Sequence, residues 1–125
     1  KVRLENNGTI SIETSEDALS IHEITHVRQA LDAGGLEFSD SGCLKNPGTR
    51  AKGSQRYIAI SEAEIEAYKM QYSYRPESLT ISVDNISIIN VHYVGSIKDP
   101  NGGYGYPMIK DYSDFLKSQQ KFKNK

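Results

Sequence analysis

His22-Glu23-Ile24-Thr25-His26 sets two histidines four residues apart, with an acid directly after the first. On an α-helix, residues i and i+4 stack on one face, so both imidazoles can grip a single ion. The Glu23 carboxylate projects toward the same place and can polarise a water held there. The pattern therefore predicts a helix across 22–26. It also calls for a third donor from elsewhere in the chain and one coordination position left open.

The flanks agree with a helix. Thr9-Ile10-Ser11-Ile12-Glu13 alternates apolar and polar residues after a turn at Asn6-Asn7-Gly8, which predicts a short strand; Val2 and Leu4 extend the alternation backwards. Thr14-Ser15-Glu16-Asp17 supplies hydroxyl caps and then acids, a helix start. Helical spacing continues through Ala18, Leu19, Ile21, Thr25, Gln29 and Ala30 until Gly34-Gly35 stops it. Residues 36–56 are polar and Gly-rich and predict a long loop that walls or gates a cleft. Ser61 is expected to cap a second helix, Glu62 to Tyr74, closed by Arg75-Pro76. Leu79 to Ile97 is rich in β-branched residues. Yet Val83, Ile86, Ile89, Tyr93 and Ile97 recur at threes and fours, which predicts a helix. After a turn at Asp99–Gly103, Tyr104 to Ile109 reads as a short strand and Asp111 to Lys121 as a terminal helix.

Composition bounds the rest. A chain of 125 residues holds one domain with a real core, so 1–125 is read as a single α+β unit. That unit is mainly helical, with a small β-sheet beside the motif helix. Fifteen basic residues against sixteen acidic ones give no electrostatic case for nucleic acid or an anionic membrane. No apolar run approaches the roughly 20 residues that span a bilayer. The single cysteine, Cys43, excludes an internal disulfide and reads as a free structural thiol. With Lys1 at the first position, the expectation is a fragment of a longer precursor.

The third donor is sought on the second helix, in Ser61-Glu62-Ala63-Glu64-Ile65-Glu66-Ala67-Tyr68. Glu62 shares its face with Glu66, Lys69 and Ser73, a solvated stripe. Glu64 shares the less charged face with Ile60, Ala67, Tyr68 and Gln71. An acid on that side needs a partner, because a buried unpaired carboxylate is very costly. Glu64 is therefore the preferred ligand, with Glu62, Glu66 and His92 as alternatives.

These residues resemble the zincin metallopeptidases in their gluzincin arrangement, where a second helix carries a glutamate ligand. Glu64-Ile65-Glu66-Ala67-Tyr68 is similar to the E-x-x-A-Y context, with Glu64 in the ligand position. His22 through Gln29 looks like the H-E-h-x-H-x-x-Q helix of zincin-like toxin domains at the C-termini of RHS-repeat and other polymorphic toxin proteins. Tyr106-Pro107-Met108-Ile109-Lys110, with Tyr112 and Phe115, looks like that group as well. The likeness covers residues 10 to 75 well and the remainder loosely. It implies Zn²⁺ on His22, His26 and Glu64, Glu23 as general base, and hydrolysis of peptide bonds in a protein or peptide substrate. It further implies a secreted or target-cell-delivered, extracytoplasmic effector with a cognate immunity protein. A non-catalytic metal-binding domain and a housekeeping envelope peptidase domain are the rivals. The transition-state donor is sought among Tyr93, His92, Tyr68 and Tyr104. Some gluzincins have an acid where Tyr68 stands, so behind a histidine either a carboxylate is sought at Asp17, Asp32 or Asp40, or a backbone carbonyl serves.

Overall fold

The computed structural model describes residues 1–123. The chain opens with an antiparallel hairpin, β1 (Val2–Leu4) and β2 (Ile10–Ile12), in register Val2 to Ile12 and Leu4 to Ile10. Gly8, at φ +85°, takes the left-handed position that closes the turn. Next comes α1 (Asp17–Asp32). Neither Thr14 nor Ser15 caps it: Glu16 stands at the N-cap without a side-chain bond, and the Thr14 and Ser20 hydroxyls bond each other at 2.5 Å.

The expected long loop carries structure of its own. Residues 37–45 fold into a tight hairpin, with the Ser39 N–H donating to the Cys43 carbonyl and Lys45 N–H to Glu37. One arm then pairs with β1 through Leu4 N–H to the Gly42 carbonyl and Leu44 N–H to Val2. Arg50 staples the assembly with bonds to the Glu37 carboxylate and the Ala33 and Gly35 carbonyls, each 2.8–2.9 Å. It ends a 3₁₀ turn, Pro47–Arg50, docked on the next helix.

That helix, α2, spans Ser54–Tyr74 and begins eight residues before the expected start at Glu62. Ser61 is no cap. It lies mid-helix, its hydroxyl donating to the Tyr57 carbonyl one turn back at 2.7 Å. The C-terminal end follows expectation: Arg75, extended ahead of Pro76, stops the helix.

No continuous helix covers Leu79–Ile97. A 3₁₀ turn, Pro76–Ser78, lies just ahead of the segment, which itself holds a second, Ile86–Ile88, and the short helix α3 (Val91–Ser96). Two asparagines explain the interruption. Asn85 Oδ1 accepts from Ser87 N–H and Asn90 Oδ1 from Tyr93 N–H, so each starts a new turn, and the β-branched run between favours no helix. The expected strand at Tyr104–Ile109 is a single bridge from Tyr104 to Lys98. Pro107, with no N–H for a ladder, instead opens α4 (Pro107–Lys123).

The apolar core gathers Leu79, Ile89, Tyr93, Val94, Ile97 and Ile109 between α2, α3 and α4. Gly95 lets α3 meet α4, since a Cβ there would lie 3.2 Å from Lys110 and Ser113. The α1–α2 seam is different. Fully buried Ala18, Ala30 and Ala67 bring the helices close, and His22, Thr25, Ser61, Glu64 and Gln71 fill what lies between. A polar seam costs stability unless its groups bond one another. Among the described residues no buried side-chain nitrogen or oxygen lacks a partner.

Candidate metal centre

Helical spacing puts His22 above His26 on the inner face of α1, and α2 brings Glu64 against both. His22 Nε2 lies 3.2 Å from Glu64 Oε1, His26 Nε2 lies 3.0 Å from it, and the two Nε2 atoms are 3.2 Å apart. These three side chains are close enough to hold one metal ion. All are buried or nearly so, as a site with few competing waters requires. Burial favours a neutral Glu64, but the hydrogen bonds to His22 and His26 outweigh it and hold the carboxyl down to about 2. Burial likewise favours a neutral His26, yet the Glu64 hydrogen bond and charge raise it above its ordinary value. The Glu64 carboxylate thus favours positive charge beside it.

Behind each ring stands a glutamine. His22 Nδ1 is 3.0 Å from Gln71 Oε1, and His26 Nδ1 is 2.9 Å from Gln29 Oε1. The carboxylates sought for this role are elsewhere: Asp32 pairs with Arg28, and Asp17 and Asp40 are exposed. Both glutamines were visible at helical positions facing the site. An amide was not expected where a carboxylate commonly stands.

Glu62 is exposed, and Glu66 faces Arg28 and Gln29, so neither belongs to the cluster. His92 is likewise absent from it; its Nδ1 bonds the Ser113 hydroxyl at 2.6 Å, on the α3–α4 side. The Tyr93 hydroxyl donates to the Ile81 carbonyl at 2.7 Å and faces the core. Tyr104 lies beneath the Lys98 and Lys110 ammonium groups. Tyr68 packs its ring edge-on against His22, centroids 4.4 Å apart, and its hydroxyl meets that of Tyr106 at 2.7 Å.

Two cavities flank the cluster. One, of about 320 Å³, is lined by His22, Glu23, His26, Glu64 and Tyr106, with Cys43 to Asn46 as its far wall. The other, about 210 Å³, is lined by Leu19, His22, Glu23, Tyr68, Thr80 and Tyr106. Glu23 and Tyr106 border both. Tyr106 was not among the four expected donors, because a residue 80 positions from the motif carries no spacing signal toward it. Cys43 proves to be a wall residue of the larger cavity; Ser41 and the nearby Lys1 and Arg3 charges hold its thiol below the ordinary value.

No known protein family, curated protein or solved structure matches this chain. The centre therefore stands on its own geometry. No described helix is long and apolar enough to cross a membrane.

Proposed function

We propose that the chain is a zincin-like, zinc-dependent peptidase domain. The observation that carries this reading is the spacing of the three donors. Tetrahedral zinc with ligands at roughly 2.0–2.1 Å separates them by about 3.3 Å, and the separations here are 3.0, 3.2 and 3.2 Å. Two imidazoles and one carboxylate are a catalytic rather than a closed structural donor set. Bound zinc supplies Lewis acidity and a water acidic enough to ionise near neutral pH.

The side chains around it divide the remaining work. Glu23 lies outside the donor set yet borders both cavities, the place for a base that takes a proton from water and returns it to the leaving amine. Tyr106 borders the same cavities. Burial pushes its hydroxyl far above the ordinary tyrosine range, so it stays protonated and serves as the donor to a developing oxyanion. Tyr68, bonded to it, orients that hydroxyl.

Glu23→Gln tests the assignment. It should leave zinc uptake and fold intact while lowering peptide hydrolysis by about 10²–10⁴-fold. Loss of zinc, or undiminished hydrolysis, would contradict it. The effector reading rests on the sequence resemblance alone. Under it, expression of the unchanged chain in a bacterium lacking the cognate immunity protein arrests growth, and Glu23→Gln relieves the arrest. Harmless expression of zinc-loaded, active protein would favour the envelope-peptidase alternative.

A further inference from the structure

Proton placement around the two glutamines can be worked out from their other contacts. Gln29 Nε2 donates to the Ala63 carbonyl at 2.9 Å and to Glu66 Oε1 at 2.8 Å. Both can only accept, so the amide nitrogen must stand there and its oxygen must face His26. Gln71 Nε2 lies 3.4 Å from the Ser78 carbonyl and 3.2 Å from its hydroxyl. That hydroxyl spends its proton on the Arg75 carbonyl, so it too accepts. The oxygen of Gln71 therefore faces His22.

An amide oxygen accepts, so each Nδ1 must carry the proton; where a cation replaces the proton that Glu64 would otherwise draw to Nε2, each ring presents its Nε2 lone pair to that cation. We infer that Gln29 and Gln71 are positioning residues that select the Nδ1–H form of both histidines and aim their Nε2 lone pairs at a shared cation. Gln29 backs His26 from its own helix and anchors its amide on α2, whereas Gln71 reaches across the seam from α2 to His22 on α1. Position 29 also excludes a carboxylate, which would oppose the Ala63 carbonyl and Glu66 at hydrogen-bond distance.

The inference rests on the metal reading and not on peptide hydrolysis. Its test uses zinc affinity, by chelator competition, and the nitrogen resonances of both imidazoles. Gln29→Met and Gln71→Met should each weaken zinc binding by about 10- to 100-fold. Gln29→Glu should weaken it too, although a carboxylate is the stronger acceptor. Adding Glu66→Gln to that variant restores a donor and should recover affinity. Affinities within about twofold of the unchanged chain for both Met variants would overturn the inference. Should either Met variant fail to fold, the unchanged, zinc-loaded chain decides it: both rings should carry the proton on Nδ1 and the metal on Nε2. An Nε2–H form on either ring would refute the assignment. Absence of zinc uptake by the unchanged chain would instead remove the metal reading, and the inference with it.

Discussion

At the residue scale, Tyr68 and Tyr106 are the groups whose chemistry the surroundings alter most visibly. Tyr106→Phe removes a hydroxyl and almost no volume. If that hydroxyl supports the transition state, the variant should keep zinc and the peptide KM while kcat falls by about 10²–10³-fold, read in steady-state kinetics. A raised KM at unchanged kcat would place Tyr106 in substrate binding only. The same pair predicts alkaline sensitivity. Burial pushes Tyr68 up to about 12 and Tyr106 further in the same direction, from an ordinary value of 10. The folded chain then keeps protons that the unfolded chain has released. The stability from these groups is complete below about pH 10 and is lost as pH rises through about 12. Thermal melts across that window should show a steep decline, made shallower by replacing both tyrosines with Phe.

At the scale of elements, the site depends on how closely the segment after α1 docks on α2. Gly48 is the tightest point: a Cβ there would lie 2.6 Å from the Ile60 nitrogen and 2.9 Å from the Ala59 carbonyl carbon. Both are backbone atoms of α2 and cannot swing aside. Gly48→Ala should therefore lift the 3₁₀ turn from the helix and cost about 1–3 kcal/mol in denaturant unfolding. The α1–α2 seam shows why helical spacing was informative for the ligands and misleading elsewhere. In α1, positions 18, 22, 25 and 29 repeat at threes and fours; the first three are buried, and His22 and Gln29 bond groups of α2. In 79–97 the same spacing recurs, yet side-chain bonds from Asn85 and Asn90 cut the backbone into separate turns. A side chain competing for main-chain N–H groups is a local event that hydrophobic periodicity does not register.

For the whole molecule, the polar seam between α1 and α2 makes stability depend on what the seam holds. The apolar core lies with α2, α3 and α4, and α1 adds mainly alanines and the metal-site polar groups. Metal should therefore stabilise the folded chain well beyond a surface ion. At a free zinc concentration about 100 times Kd, linkage gives about 2.7 kcal/mol. Calorimetry with and without chelator should show the corresponding fall in Tm, and Glu64→Ala, which opens the donor set, should abolish the difference. An equal melting temperature in both conditions would mean that the seam is complete without an ion.

The sequence by itself determined what depends on one helix at a time. A period of 3.6 residues stacks His22 on His26 and turns Glu64, not Glu62, toward the less charged face; Pro76 and Gly34-Gly35 end helices by local sterics. The strand at Ile10–Ile12 was legible for the same reason, since alternation after a Gly turn acts over a few residues; its antiparallel pairing with Val2–Leu4 was not part of that reading. Only the tertiary structure decided which side chains stand behind the ligands and which hydroxyl enters the cleft. Gln71 lies 49 positions from His22, and Tyr106 lies 38 from Tyr68. No period links such pairs. They meet because α2 packs against α1 on one flank and beside α4 on the other, and burial at that junction then sets how tightly each hydroxyl and ring holds its proton.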